Sequence, residues 1–179
     1  PSPIQISKAQ GIRPEDLYKV LLVLQNVYRH IVVDGGNYLN DNLVTYMDAA
    51  DKIILVVTPN LASLRDARQF LDISHSLSYS KDKILLLLNQ AGHRSDVKLS
   101  EIENVLRAQV FATIPADEDI MLSCLNEGMP VLLKKPGHAI SKAFKKTADT
   151  LTQKFLAAAK ADGSQKSSVD ILKKSSRLG

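Results

Sequence analysis

Four short apolar runs punctuate the chain: Ile31-Val32-Val33, Ile53-Ile54-Leu55-Val56-Val57, Ile84-Leu85-Leu86-Leu87-Leu88 and Val110-Phe111-Ala112-Thr113-Ile114. Continuous runs of this length, bounded by turn residues, fit strands buried on both faces. Between them apolar residues recur every three or four positions, the spacing of a helix with one buried face. Leu17, Val20, Leu21, Leu24 and Val27 predict a helix from Pro14 to Tyr28 that feeds the first strand. Asn40 or Asp41 can cap a second helix reaching Ala50. Asn60 is an N-cap candidate for a third, carrying Leu61, Leu64, Ala67, Phe70, Leu71 and Leu77. Ser100-Glu101-Ile102-Glu103 has the form of a capping box opening a fourth. Asp117 can cap a fifth with Ile120, Met121, Cys124 and Leu125, which Gly128 and Pro130 stop. A last helix runs from about Ala139 to Ala159 on Ile140, Phe144, Ala148, Leu151 and Phe155. Residues 1–13 and the polar stretch Gly92 to Lys98 read as loops, and the Ser/Lys-rich end beyond Lys160 as loose.

Strand and helix in alternation predict an α/β fold, a parallel sheet with helices on both faces and right-handed crossovers. Parallel strands bring their C-terminal tips to one edge, where such sheets bind ligands. That edge collects Asp34, Thr58, Asn89 and Pro115-Ala116-Asp117. An acid after an apolar strand suits Mg²⁺, which keeps most of its waters and takes few carboxylates. It also suits a simple turn, here with Gly35-Gly36 bending the chain. Asn89 can donate and accept at once, which fits the edge of a purine base, or it can cap a loop. Asp117 reads first as an N-cap and second as a base contact. Thr58 reads as a turn hydroxyl, Cys124 as core packing, and Arg65 and Arg68 as a solvated face with a dimer contact as the lesser reading.

Composition narrows the field. With 45% hydrophobic and 23% charged residues over 179, the chain is globular, long enough for one domain. It holds no run long enough to span a bilayer and no signal-peptide pattern, and its start (Pro1-Ser2-Pro3) reads as cut from something longer. Its single cysteine and unclustered histidines predict neither disulfide nor structural zinc, in keeping with the cytoplasm. The formal charge of +4 is unevenly spread. Residues 134–179 carry eleven Lys/Arg against three acids, whereas residues 1–133 carry twelve against sixteen. The basic end suits a solvated arm or an anionic partner.

His30 to Phe155 resembles the C-terminal two-thirds of a MinD/ParA-type deviant Walker ATPase, nearest the CpaE/TadZ pilus-assembly branch. The pieces occur in order: Ile31-Val32-Val33-Asp34, matching Walker B; Ala50 to Pro59; Ser63-Leu64-Arg65-Asp66-Ala67-Arg68; Leu87-Leu88-Asn89; Ile114-Pro115-Ala116-Asp117; and Asn126-Glu127-Gly128-Met129-Pro130-Val131. The resemblance implies a P-loop NTPase-like fold whose N-terminal strands are missing. Residues 1–160 would form the C-terminal portion of the ATPase domain, with a basic, disordered tail at 161–179. It implies ATP and Mg²⁺ as cofactors, Asp34 as the catalytic residue holding Mg²⁺ through water, and Asn89, Pro115, Ala116 and Asp117 as contacts to adenine. Gln90-Ala91-Gly92 stands where guanine sites carry Lys-x-Asp, which favours adenine.

The resemblance further implies a homodimerising, ATP-dependent switch that assists assembly or localisation of a pilus or secretion machine. The setting would be the cytoplasm, with a peripheral place at the inner membrane open. Two departures stand out. No phosphate loop of the K-G-G-x-G-K-T kind occurs in these 179 residues, and Gly35-Gly36 has no Gly-Lys-Ser/Thr after it. The chain alone is therefore expected not to hydrolyse ATP. A nucleotide-free scaffold acting by protein–protein contact is the main alternative, and a ParA-like DNA partition ATPase another. The tail admits membrane or DNA contact, and Val169 to Leu178 a lipid-docking helix, but a solvated arm is the preferred expectation. A phosphorelay receiver is disfavoured: no acidic pair precedes Asp34, and Lys135-Pro136 comes too late.

Overall fold

A computed structural model describes residues 12–92 and 97–161, with side chains up to Lys154. The elements are α1 (Pro14–Val27), α2 (Asp41–Ala49), β1 (Ile53–Val57), α3 (Leu61–Ser76), a 3₁₀ turn (Lys81–Lys83), β2 (Ile84–Ala91) and α4 (Leu99–Leu106). They continue with β3 (Val110–Pro115), α5 (Glu118–Asn126), the short α6 (Val131–Lys134) and α7 (Ala139–Ala161). The predicted tail at 161–179, with its Val169–Leu178 segment, falls outside the described residues apart from Ala161, as do parts of both predicted loops. Among the described residues no helix is long and apolar enough to cross a membrane.

The sheet is parallel, ordered β1-β2-β3, with β2 in the centre. Its five-residue apolar run explains that place, because alternate side chains enter different cores. Leu86 and Leu88 join Val57 with Leu64 and Ala67 of α3 and Ile102 and Leu106 of α4. Leu87 points the other way, to Ile114, Cys124 of α5, Val131 of α6 and Ile140 of α7. Helices thus cover both faces, as expected. β3 changes sides midway: Leu86 pairs with Val110 but Leu87 with Ala112, so one extra residue of β3 is accommodated. That bulge aims Val110 at the first core and Ile114 at the second.

The first of the four expected strands is a correction. Ile31-Val32-Val33-Asp34 lies outside any strand pairing, and Val32 is 95% exposed. Three β-branched residues favour extended backbone, but a strand exists only where a neighbour completes its hydrogen bonds. β1 likewise pairs only with β2 among the described residues, and its Ile54 and Val56 remain exposed.

Local chemistry sets the helix ends. Asn40 and Asn60 accept the Leu43 and Ser63 amides at 2.9 Å each, capping α2 and α3. The expected box at Ser100–Glu103 is not used. α4 begins two residues earlier, with Lys98 at the N-cap, and Glu101 accepts the Lys98 amide at 3.1 Å. Glu103 is drawn instead to the Val110 amide at 2.8 Å, tying α4 to β3. Arg68 also departs from the solvated reading: it is paired with Asp72 at 2.7 Å and donates to the Leu106 carbonyl at 3.1 Å, joining α3 to α4. Ser141, buried, donates to the Val131 and Lys135 carbonyls and closes α6 onto α7.

The turn before β2 is fastened to α2. Tyr79 donates to Asp48, Lys83 reaches the Asp48 carbonyl at 3.3 Å, and Lys52 the Asp82 carbonyl at 2.7 Å. Partial burial, then the Asp48 hydrogen bond and charge, push the Tyr79 hydroxyl well above the ordinary phenol value. Its folded value is raised, so its stabilisation is complete below about pH 10, the unfolded value, and is lost as pH rises toward the folded one. In a spectrophotometric titration Tyr79 should ionise last of the five tyrosines. Tyr79→Phe should delete that last step and Asp48→Asn should bring it to lower pH; a titration unchanged by either would contradict this placement.

Candidate functional site

The C-terminal edge of the sheet is shaped by a second irregularity. Leu88 pairs with Thr113 and Ala91 with Pro115, so three steps on β2 match two on β3. The extra residue falls at Asn89-Gln90, where Gln90 takes a left-handed φ of 57°. Bulges of this kind re-aim side chains. Asn89 is consequently not the strand's end, as expected from sequence, but part of the bulge, half-buried, its side-chain oxygen accepting the Gln90 amide at 3.0 Å.

The loop after β3 folds back on this bulge. The Ala116 amide donates to the Ala91 carbonyl at 3.1 Å, continuing the sheet one residue beyond Pro115. Asp117 then opens α5: its Oδ1 accepts the Ile120 amide at 3.1 Å, the expected cap. Its Oδ2 faces Nε2 of His138 at 3.2 Å, a contact from the residue that precedes α7. Asn89, Pro115, Ala116 and Asp117 are therefore gathered at one place by main-chain bonds.

Asp34 is held differently. It is exposed, and its Oδ1 accepts the Gly36 amide at 3.0 Å, a turn of the Asx type. Gly36 has φ +70°, and a Cβ on Gly35 would stand 2.8 Å from Leu43 Cδ1, so the two glycines let the chain turn closely over α2. No strand pairing ties Asp34 to the 115–117 loop. Thr58 sits in its own turn, accepting from Asn60 at 2.7 Å through its hydroxyl while its amide donates to Ser63 at 3.0 Å.

Chemically, the Ala116 amide is taken by Ala91 and Pro115 has none, so the loop offers mainly carbonyl groups and Asn89 its side-chain amide, group types that can meet the edge of a planar base. Among the described residues no three His, Cys, Asp or Glu side chains converge on a metal position. Asp34 alone suits a cation that keeps its waters, as Mg²⁺ does. A cradle of amides for phosphates is not found among the residues described. Sequence reasoning missed His138, since neither spacing nor composition signals a contact to a residue twenty-one positions earlier.

The chain is 26% identical over 149 residues to the septum site-determining protein MinD of Thermotoga maritima, covering 80% of this chain and 54% of that protein. It matches the solved ParA family ATPase of Chlorobium tepidum with a TM-score of 0.74 and 32% identity, over 80% of this chain and 60% of that one. MinD of Pyrococcus horikoshii, solved in complex with Mg-ADP, gives a TM-score of 0.69 at 23% identity, over 83% and 60% of the two chains, a likeness of fold alone. No family model matches. The chain spans about half the length of the curated relatives it matches. Its fold is of the MinD/ParA type, and it is homologous to MinD/ParA ATPases.

Because Asp117 both caps α5 and meets His138, its two roles separate by substitution. Asp117→Ala should lower the unfolding free energy by about 1 kcal/mol, the usual value of an N-cap, whereas Asp117→Asn should cost only a few tenths. Urea denaturation of both variants checks this, and equal losses would deny the cap its part.

Proposed function

We propose that this chain is the base-binding part of an ATP-dependent switch ATPase of the MinD/ParA type. In this reading Asn89, Pro115, Ala116 and Asp117 contact adenine, and Asp34 holds Mg²⁺ through water. The observation that carries it is the 115–117 loop, bonded to β2 beside the Asn89 bulge at the C-terminal edge of a parallel sheet. The Mg-ADP of the Pyrococcus horikoshii structure supplies the ligand by analogy. Mg²⁺ would neutralise phosphate charge as it develops. The chain's own part is to hold the base edge and orient a metal-bound water.

The intact protein would dimerise when Mg-ATP fills the strand-tip edge, because a ligand that binds one state more tightly shifts the population toward it. The motif run Ser63-Leu64-Arg65-Asp66-Ala67-Arg68 favours a role of the CpaE/TadZ kind, assisting assembly or placement of a pilus or secretion machine from the cytoplasmic side. A second reading is a nucleotide-free scaffold of the same fold that acts by protein–protein contact, and a Gly-Lys-Ser/Thr phosphate loop in the intact protein would argue against it.

Calorimetry on the intact protein separates the two, since Mg-ATP binding supports the switch and its absence the scaffold. Asp34→Ala should reduce Mg²⁺-dependent hydrolysis about tenfold or more, because a positioned metal water acts on the reacting phosphate. Its nucleotide affinity should stay within about threefold, since a water-mediated contact adds little to ground-state binding. Equal hydrolysis by parent and variant would remove Asp34 from the site. Residues 1–179 alone should bind Mg-ATP negligibly without an amide cradle for the phosphates; micromolar binding would overturn that expectation.

A further inference from the structure

The 115–117 loop is held from three directions, and one of the contacts belongs to no motif in the chain. From β2, the Ala91 carbonyl holds the Ala116 amide; from α5, the Ile120 amide holds Asp117 Oδ1. The third is a close contact from the start of α7. The main-chain carbonyl of His138 accepts the Lys142 amide at 3.0 Å, so the residue is built into the first turn of that helix. The ring is oriented as well. The Ile140 amide donates to Nδ1 at 3.3 Å, which makes Nδ1 an acceptor and leaves the ring proton on Nε2. Nε2 is the atom that faces Asp117 Oδ2 at 3.2 Å. Behind the ring, α7 is anchored by buried Ile140 and by Ser141, which bonds two carbonyls of the preceding segment. The ring is thus fixed to the body of the domain rather than to the loop it touches.

We propose that His138 is a positioning residue that latches the Pro115–Asp117 loop through the contact of its Nε2 with the Asp117 carboxylate, and so steadies the loop that would meet an adenine base. This rests on the nucleotide reading above and goes beyond it by assigning the residue that sets the geometry of the base contact. The alternative, that His138 serves only to start α7, makes different predictions. Both ring nitrogens are used, and substitution can remove one function without the other. His138→Asn retains a short acceptor for the Ile140 amide and is a favoured residue at a helix start, so α7 should form, yet it does not reach Asp117. His138→Gln carries a longer amide that can donate toward Asp117.

The test uses the intact protein and two readouts. Without nucleotide, hydrogen exchange is followed in the peptide spanning residues 114–121. His138→Asn should raise exchange there about tenfold while leaving residues 139–154 protected, and His138→Gln should restore part of the protection. With ligand, affinities for ATP and for inorganic triphosphate are compared. His138→Asn should weaken ATP about three- to tenfold and leave triphosphate unchanged, because only the base meets the loop. Unchanged exchange in 114–121 would overturn the latch, and so would equal weakening of ATP and triphosphate. Loss of protection across α7 in His138→Asn would likewise overturn it in favour of a purely structural role. If the unmodified protein binds neither ATP nor triphosphate, the nucleotide reading itself fails, and the assignment of an adenine contact fails with it. Exchange in 114–121 then shows whether the latch exists apart from any ligand.

Discussion

Parallel pairing on both edges of β2 is the constraint from which the rest of the structure follows. A parallel strand cannot be reached by a tight turn, so each return requires a helix, and each helix needs an apolar face to lie on. The leucine run supplies a face on either side, Leu86 and Leu88 to one core and Leu87 to the other. Because crossovers return the chain to the same end, the residues after β2 and β3 must emerge together. The meeting of the Ala91 carbonyl with the Ala116 amide is the point where that constraint becomes a candidate site.

The two bulges modify this frame in different ways. The one near Phe111 serves packing: without it Val110 and Ile114, four residues apart, would face the same side, and one core would lose its contribution from β3. The one at Asn89-Gln90 serves the edge. It needs a left-handed residue, and Gln90 adopts that conformation although it is not glycine. Such a conformation costs on the order of 1 kcal/mol and persists only where the surroundings fix it. Here the surrounding bonds are the Asn89 side chain on the Gln90 amide and the Ala91–Ala116 link that follows.

Much of this could be read from the sequence, for local reasons. β1, β2 and β3 declare themselves by continuous apolar runs, and the caps at Asn60 and Asp117 by a polar side chain before a periodic stretch. The gathering of Asn89 with Pro115–Asp117 follows from parallel topology alone. What escaped depends on partners distant in sequence. Arg68 looks solvated until the Leu106 carbonyl is brought beside it, and Glu103 looks like a cap until the Val110 amide competes for it. His138 carries no local mark at all, because its role is defined by an oxygen of Asp117. The expected strand at Ile31–Asp34 failed for the converse reason: its composition is that of a strand, but hydrogen bonding is a property of pairs.

That failure bears on how the site works. Asn89 and the 115–117 loop are fixed relative to one another by sheet bonds, whereas Asp34 is fixed by a turn over α2. Among the described residues β1 is paired on one side only, Ile54 and Val56 stay exposed, and so do Val32 and Val33. The 115–117 loop therefore stands on bonds made with the sheet, and Asp34 on a turn of its own over α2.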